Sequence, residues 1–454
     1  MLWGVLLACA GLLAGGAAVA QTAGEVSSDR DLQKAYDDAF AAMMADPQNL
    51  DKTFLFAELA TRKGDLEGAV SALERMLFIN PDLPRVKLEL GVLYFRLGAY
   101  ETAQAYLQGA LEANPPPAVR EKAQSFLNEI SKRASVHQLS GSIYAGLRGQ
   151  SNVNASPGPG SVVSSLFGPA TLSTLSGKKS DGNYFTAANA KYVFDFQDQN
   201  QNTFEATGAL YSARQWYQSA FNLTFLELTA GPRVPVPTGW LWEGAAISLR
   251  PYAIYDYIDL HDDYYYRAPG AGFEVLAQVR PGSVVQFNFE VRDKHYKNTS
   301  LAPSGSNQTG REMLGRAQLT QTLTDELVGL ASATYSVMDA QGDSFAPADQ
   351  GYHYYDYTLG LSYSYDAPWT VTELPWNVTA TATRAFYIYR QPDPTVDFAD
   401  TRFDRDWRFA VVGSVPLAED WTVIGTLGRT IRQSSIQNFV YNNNYITLGV
   451  SWRF

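Results

Sequence analysis

The chain has 454 residues, enough for two or more domains, and it is acidic, with a formal net charge of -11. An acidic chain is poorly suited to bind a phosphate backbone, so nucleic acid is not an expected partner. Mean hydropathy is -0.19, and no apolar run after the N-terminus approaches the roughly 20 residues of a membrane helix, which excludes a helical membrane protein.

The first twenty residues read as a secretory signal peptide. The stretch MLWGVLLACAGLLAGGAAVAQ is apolar and ends in Ala18-Val19-Ala20 before Gln21, which is a signal-peptidase pattern. Cleavage after Ala20 would remove Cys9, the only cysteine, so we expect an exported and cysteine-free mature chain. Lipidation of Cys9, within the weakly lipobox-like LLAC, is the alternative.

Residues 27–134 are predicted to form a helical repeat domain. FAELATRKGDLEGAVSALERMLFINP and LGVLYFRLGAYETAQAYLQGALEANP superimpose at an offset of 34 residues, which places Phe56 on Leu90 and Pro81 on Pro115. Small residues let the two helices of a repeat approach, apolar residues form their seam, and Asn-Pro ends the second helix. A partial repeat at 32–44 and a charged helix at 118–133 flank these copies. The pattern resembles the tetratricopeptide repeat, most clearly at Leu90, Gly91, Tyr94, Gly98, Tyr100, Ala103, Ala110 and Pro115.

The concave face of this domain is the first candidate site. Arg62, Tyr94 and Arg96 are its candidate residues, and they would hold an extended peptide or a chaperone. The alternative is that the helices only fold and pack, and both interpretations stay open.

From residue 137 to residue 454 the periodicity changes from 3.6 to 2, as in strands with two unlike faces. Each stretch is long enough to cross a bilayer, and their number is even, as in bacterial single-chain barrels. The expected fold class is therefore α + β multidomain, a helical solenoid followed by an antiparallel transmembrane β-barrel of about fourteen strands. The predicted strands are 138–149, 183–197, 202–216, 220–231, 240–257, 264–280, 283–297, 309–323, 326–339, 351–366, 374–390, 401–417, 420–434 and 440–454.

The connections predict the orientation of the barrel. Short turns such as DQNQ, RPGS, LTDE and LAED occupy every other link, and the remaining links include long polar loops. Outer-membrane barrels have short periplasmic turns and long external loops, so both ends of the barrel chain are expected to face the periplasm. Phe454 then resembles the C-terminal aromatic residue that the barrel assembly machinery recognises.

Charged residues on the predicted lumen face form the second candidate site. Glu290, Arg292 and Lys294 share one face of a strand, and the alternating signs predict ion pairs across the interior. These pairs would either rigidify a barrel too wide to fill by packing or line a path for substrate. A second strand carries the same pattern at Arg402, Asp404, Asp406 and Arg408.

Signals for catalysis are weak, so we expect no enzyme activity, no cofactor and no metal. The chain has no G-x-S-x-G, no H-E-x-x-H and no phosphate-binding glycine loop. His261, Asp262 and Asp263 could bind a cation, but a solvated loop is the simpler interpretation. An outer-membrane hydrolase stays a minor alternative.

A signal peptide, a short tetratricopeptide domain and a barrel of about fourteen strands together resemble the surface lipoprotein assembly modulators (Slam), the outer-membrane component of type XI secretion. GLRGQSNVNASP is similar to that family's D-S-N-x-N element, with Gln150 where the family often has Asp, and YNNNYITLGVSWRF is similar to its closing strand. The carried-over residues are Ser151, Asn152 and Asn154. The resemblance implies an outer-membrane translocon that delivers a cargo lipoprotein or small secreted protein to the cell surface.

The implied partners are that cargo, a periplasmic chaperone, outer-membrane lipid and the barrel assembly machinery. The helical domain would lie in the periplasm and dock cargo or chaperone, while the barrel gives passage. Two alternatives stay open, a pore for exopolysaccharide export and a passive nutrient porin. The tyrosine-rich DYYYR, YHYYDY and FYIYR permit a sugar track, although tyrosine at strand ends is more typical of an interfacial girdle.

Overall fold

The computed structural model describes residues 29–113, 115–133, 135–158, 161–164, 168–171, 177–238, 245–300, 305–340, 351–368, 374–393, 396–397 and 399–454. The predicted signal peptide lies outside the described residues. The described chain divides into two units, a helical one that ends at Gln138 and a second one from Leu139 to Phe454. No helix among the described residues is long and apolar enough to cross a membrane.

The described residues of the first unit form six helices. They are α1 Asp29–Ala45, α2 Leu50–Lys63, α3 Leu66–Ile79, α4 Pro84–Arg96, α5 Tyr100–Glu112 and α6 Pro117–Arg133. Asn49 and Asp65 cap α2 and α3, because their side chains accept hydrogen bonds from the amides of Lys52 and Gly68. The six helices confirm the predicted solenoid.

The 34-residue offset holds in the structure. Gly64 and Gly98 each link the two helices of a repeat and have φ of +89° and +77°, a conformation that glycine adopts without cost. Equivalent seam positions are buried in both copies, with Ala69 and Ala103 both 0% exposed. A side chain at Gly91 would meet Leu107, so this small residue allows α4 and α5 to pack closely.

The second unit is a closed antiparallel barrel of fourteen strands, which confirms the predicted fold class. Each strand pairs with its neighbour in sequence, and β16 returns to pair with β1, with Gly146 opposite Gly449. Two further short strands, β2 and β3, pair with each other in a separate two-stranded sheet. The strands are β1 His137–Gln150, β2 Ser161–Ser164, β3 Gly168–Thr171, β4 Asp181–Asp195, β5 Thr203–Gln215, β6 Leu223–Val236, β7 Ala246–Leu260, β8 Asp263–Arg280, β9 Ser283–Tyr296, β10 Gly310–Thr322, β11 Leu327–Ala340, β12 Tyr352–Tyr365, β13 Trp376–Tyr389, β14 Phe403–Pro416, β15 Trp421–Ser434 and β16 Tyr441–Arg453.

The two ends of the barrel differ in their connections. We call the end where β1 starts and β16 finishes the turn end, and the opposite end, which carries the link between β1 and β4, the loop end. The loop end also carries one tight connection, between β7 and β8. His261 and Asp262 form that turn with φ of 57° and 59°, as in the two-residue hairpins that match strand twist.

The predicted bounds differ most at β6 and β7. β6 runs to Val236 through Pro232 and Pro235, and β7 begins only at Ala246. Proline lacks the amide that a central strand uses, which is why this stretch read as a link. The pairing of β6 with β7 is interrupted between Ala230 and Val234.

The outer surface of the barrel is apolar between two aromatic bands. Leu359 and Leu361 on β12 are 68% and 52% exposed, and they point away from the lumen. Tyr355 and Tyr365 on the same face are ten residues apart, about 25 Å along the axis at a rise near 3.3 Å and the usual tilt. An apolar surface of this height is consistent with a barrel of the outer membrane.

Candidate functional site

The lumen is filled at the loop end by aromatic side chains. Tyr354 lies 4.7 Å from Tyr387 between ring centroids, and Tyr266 lies 4.8 Å from Tyr296. These rings belong to one buried cluster, which we call the aromatic plug. It consists of Phe185, Ala187, Tyr211, Ala213, Leu223, Ile258, Leu260, Tyr265, Tyr266, Ala268, Tyr296, Met338, Ala340, Tyr352, Tyr354, Ala385 and Tyr387.

The tyrosine-rich stretches divide between the two faces of the barrel wall. In YHYYDY, Tyr352 and Tyr354 point inward and are buried, whereas Tyr357 points outward and is 54% exposed. The girdle interpretation therefore holds for only part of these tyrosines. The inward tyrosines lie on the same face of β12 as Asp356. The Tyr354 hydroxyl donates a hydrogen bond of 2.7 Å to the Asp356 carboxylate.

The predicted lumen charges at residues 402–408 lie beside the plug. Asp404 and Asp406 are 0% exposed, and their partners come from the residue before β14, from β14 itself and from β15. Arg402 donates to Asp404 at 2.6 Å and Arg408 donates to Asp406 at 3.0 Å. Arg432 on β15 donates from Nε and Nη2 to the two oxygens of Asp406 at 2.6 and 2.7 Å. The arrangement is a buried network in which each carboxylate has a guanidinium partner.

Of the predicted lumen charges on β9, Glu290 and Lys294 are buried and Arg292 is half-buried. Lys294 pairs with Glu312 on β10 at 2.7 Å, and Arg292 pairs with both Glu290 and Asp256, the latter at 2.7 Å. Ion pairs therefore join β7, β9 and β10 across the lumen.

Arg432, Glu312 and Asp256 are the partners that the sequence did not reveal. Arg432 and Glu312 are inward residues of the strand next to their partners, whereas Asp256 lies on β7, two strands away from Arg292 on β9, so each could be found only once the strand order and register were known. Asp406 lies opposite Arg432, and Arg292 lies opposite Glu312. For Arg432 and Glu312, the signal in the sequence is a residue of opposite charge on the lumen face of the adjacent strand.

A third ion cluster lies nearer the turn end, on β4 to β8. Glu205 is buried and accepts from Lys191 at 2.8 Å and from Arg233 at 2.9 Å. Arg250 lies 3.5 Å from the same carboxylate, and Arg233 also reaches Glu274 at 2.5 Å. These residues tie one wall of the barrel together.

The opposite wall is lined by neutral polar groups towards the turn end. Thr358 and Thr383 share a hydrogen bond of 2.8 Å, and Ser362 and Thr379 share one of 2.9 Å. These side chains are only half-buried, in contrast to the buried residues of the plug. The lumen is therefore polar and accessible towards the turn end and filled towards the loop end.

Ser151 and Asn152, two of the three residues of the family-like element, lock the first strand to the last. The Asn152 amide donates to Oδ1 of Asn443 at 2.9 Å, and its side chain donates to the carbonyl of Asn442 at 3.0 Å. The Ser151 hydroxyl accepts from the amide of Asn444 at 2.9 Å. We call this group, Ser151 and Asn152 with residues 442–444, the asparagine clasp. It joins the two stretches that carried the family resemblance.

Asn154 contacts the residues that precede β4. Its side chain donates to the carbonyl of Gly177 at 2.9 Å and accepts from the amide of Lys179 at 3.0 Å. All three carried-over residues thus make structural contacts at the loop end.

The predicted face of the helical domain is only partly assembled. Tyr94 donates to Glu74 at 2.7 Å and stacks on Tyr106 at 5.5 Å, and this bond raises the pKa of Tyr94 to about 12. Arg62 and Arg96 are exposed. No hydrogen bond or ring contact within the described helices joins either arginine to Tyr94.

A cavity of about 270 Å³ opens next to the plug at the loop end. Tyr296, Tyr352 and Tyr389 are among its lining residues, and the guanidinium of Arg402, which also lines it, lies 3.4 Å from the ring centroid of Phe439. The suggested cation residues lie elsewhere at this end and contact protein groups: Arg214 reaches Asp262 at 3.3 Å and Lys297 reaches Asp263 at 3.0 Å. Within the described ranges no group of His, Cys, Asp or Glu could hold a metal ion.

Comparison with known proteins supports the repeat domain. A tetratricopeptide repeat family model matches residues 57–128. No curated protein matches the chain. Among solved structures, the chain is similar to the P58(IPK) TPR domain, with 22% identity over 23% of this chain and 30% of that one and a TM-score of 0.22. It is also similar to the Yersinia enterocolitica chaperone SycD in complex with a peptide of the translocator YopD, with 18% identity over 25% of this chain and 100% of that one and a TM-score of 0.20. On the family match alone, the N-terminal unit carries tetratricopeptide repeats, and it precedes a fourteen-stranded barrel.

Proposed function

We propose that the protein is an outer-membrane translocon that delivers a lipoprotein or small secreted protein from the periplasm to the cell surface. The observation that carries the proposal is the aromatic plug, which fills the loop end of a polar lumen. A lumen that is closed at one end suits a conduit that opens only when cargo engages it. The assignment to the Slam family rests on the same architecture and on the two motifs that meet in the asparagine clasp.

The plug argues against a passive porin. Fourteen strands enclose a lumen wider than side chains fill unaided, and large barrels of this type leave an aqueous channel. Here buried tyrosines and ion pairs occupy that space at one end. Breaking such pairs singly costs several kcal/mol, so a spontaneous opening would be rare.

The helical domain is assigned the role of receiving cargo. Tetratricopeptide arrays present surfaces on which extended peptides bind, and Arg62, Tyr94 and Arg96 remain the proposed contacts. In this proposal the domain lies in the periplasm and binds cargo or a periplasmic chaperone. The barrel relies on outer-membrane lipid and on the assembly machinery that would recognise Phe454.

The proposal assigns no catalysis and no cofactor to the chain. Folding of the cargo outside the cell, or its capture there, would give direction to the movement. A lumen of this width requires cargo to cross unfolded or beside an opened seam, where addition of a strand to a barrel edge is a physically available step.

Surface display tests the proposal. The protein is expressed in a Gram-negative host with each small lipoprotein or secreted protein encoded beside its gene, and cargo is digested by protease on intact cells. Cargo that becomes accessible only when the full-length protein is present supports translocation. A barrel confirmed in the outer membrane with no displayed cargo would contradict it.

Exopolysaccharide export is the second candidate, and the inward tyrosines favour it. Sugars stack on aromatic rings beside acidic groups, and Tyr354 with Asp356 is such a pair. The rings are packed against one another, so a glycan could use them only after the plug opened. Loss of surface polysaccharide on deletion of the gene, with protein display unchanged, would favour this candidate.

A further inference from the structure

Three arginines on neighbouring strands point away from the lumen near the loop end. Arg384 on β13, Arg405 on β14 and Arg429 on β15 alternate with inward residues that include Ala385 and Asp406, both 0% exposed. Their side chains therefore lie on the outer surface of the barrel. We call them the arginine cluster.

The strand register brings the three together around Trp407. Arg384 lies directly opposite Trp407, and Arg405 is two residues along the same strand. Arg429 lies opposite Phe409, the next outward residue on the other side of Trp407. Arg384 and Arg405 are diagonal neighbours, which lie about 7–8 Å apart between backbones, and Arg429 is a diagonal neighbour of Trp407, so long arginine side chains can approach one ligand from both sides of that ring.

The cluster is surrounded by aromatic rings and lacks counter-charges. The guanidinium of Arg384 lies 4.8 Å from the ring centroid of Trp407 and 5.0 Å from that of Phe386, and Arg405 lies 5.6 Å from Phe403. In the part of the chain that the structure describes, none of the three arginines has an ion-pair partner. Arg311, another outward arginine at this end, pairs with Asp293 at 2.8 Å.

The cluster lies at the edge of the apolar belt. Arg405 pairs with Phe386 on β13, and Phe386 pairs with Tyr355 on β12, which belongs to the loop-end aromatic band. Arg429 pairs with Asn444 on β16, an exposed polar residue of the asparagine clasp, so it too lies at the polar rim of the loop end. This depth corresponds to the boundary between headgroups and acyl chains, where an arginine is far less costly than at the bilayer centre.

We propose that the arginine cluster binds the phosphorylated headgroup of a lipid in the leaflet at the loop end. Arginine presents a planar fork of donors that matches phosphate oxygens, and three forks around one tryptophan would share one or two phosphates. The aromatic rings would contact the first methylene groups of the lipid. The inference rests on the proposed outer-membrane location.

Native mass spectrometry of the full-length protein in detergent tests the inference. The probes are diphosphorylated lipid A and the same lipid A with both phosphates removed. The variant is the triple change Arg384→Gln, Arg405→Gln and Arg429→Gln, and the matched control is Arg311→Gln, since Arg311 already has a partner. We expect the wild type and the control to retain diphosphorylated lipid A at least tenfold better than the triple variant, which is about the factor for one charge-assisted hydrogen bond.

Two results would overturn the inference. The first is equal retention of the two lipids by the wild type, and the second is equal retention of the diphosphorylated lipid by wild type and triple variant. If the triple variant fails to fold, as judged by its far-ultraviolet spectrum, the single change Arg384→Lys takes its place, and retention must fall because lysine lacks the planar fork. Failure of the wild type to insert into vesicles would contradict the membrane location. If the wild type inserts and displays cargo, but the triple variant retains diphosphorylated lipid A as well as the wild type does, only the present inference is contradicted.

Discussion

Asp406 is fully buried in the barrel wall and accepts two hydrogen bonds, at 2.6 and 2.7 Å, from the guanidinium of Arg432 on the next strand. Removal of one partner of such a pair leaves the other charge buried without compensation. We therefore expect Asp406→Ala to lower the free energy of unfolding by about 3–5 kcal/mol. Guanidinium titration of the detergent-folded protein measures the change.

The matched control for Asp406 is Asp293→Ala. Its carboxylate pairs with Arg311 at 2.8 Å, but both side chains are about half exposed, and such pairs contribute about 0–1 kcal/mol. Losses of equal size in the two variants would contradict the view that the buried network holds the loop end together.

Removal of plug tyrosines should open the lumen. The double change Tyr354→Ala and Tyr387→Ala deletes two rings that meet at 4.7 Å at the centre of the aromatic plug. Single-channel recording in planar bilayers should show low conductance for the wild type and a clear increase for the variant. Tyr357→Ala is the control, since that ring points outward from the same strand as Tyr354. A high conductance of the wild type would contradict a closed resting state.

Asn152→Ala should loosen the loop end without changing the helical domain. The side chain of Asn152 is 2% exposed and exchanges hydrogen bonds with Ser156 and the carbonyl of Asn442. The polar groups left unpaired should cost about 1–3 kcal/mol and expose the loop that follows β1 to protease. Asn444→Ala is the control, because the clasp uses only its backbone; faster proteolysis in that variant too would show that the clasp is not specific.

The stability of the helical domain should fall in acid through Asp65. The Tyr36 hydroxyl donates to its carboxylate at 2.6 Å, and this bond, with the amide of Gly68, lowers the pKa of Asp65. A lowered folded pKa means that the contribution is complete above the ordinary carboxyl value near 4 and is lost as the pH falls towards the lowered value. Helix ellipticity during denaturation at pH 7 and at pH 3 measures this loss.

Two variants separate the contributions at Asp65. Asp65→Ala removes the cap of α3 and should cost about 1 kcal/mol at pH 7. Tyr36→Phe keeps the cap but removes the hydroxyl bond, so it should make the acid loss smaller. A Tyr36→Phe protein with an unchanged difference between pH 7 and pH 3 would contradict the assignment.

The sequence predicted the architecture because both periodicities are strong. The repeat was visible from Gly64 and Gly98, which occupy equivalent turns, and all fourteen barrel strands were placed. The predicted end of β6 and start of β7 were wrong. β6 continues through Pro232 and Pro235, because the barrel tolerates a break in the hydrogen bonds between β6 and β7 there.

The candidate site was predictable only in part. Alternation placed Asp404 and Asp406 on the lumen face, but their partner Arg432 depends on strand register, which a single strand does not encode. Inward and outward tyrosines differ by one position in YHYYDY, so their roles could not be separated by composition. The arginine cluster is likewise spread over three strands and becomes a group only through their pairing.

The asparagine clasp also constrains the order in which the barrel assembles. Asn152 and Asn443 are 291 residues apart in the chain, so their contact cannot form until the last strand has been synthesised and delivered. Contacts of such large sequence separation are the slowest to form. The clasp can therefore serve as a completion check: a chain truncated before its final strand would leave the first strand with an unprotected edge, open to degradation by quality-control proteases.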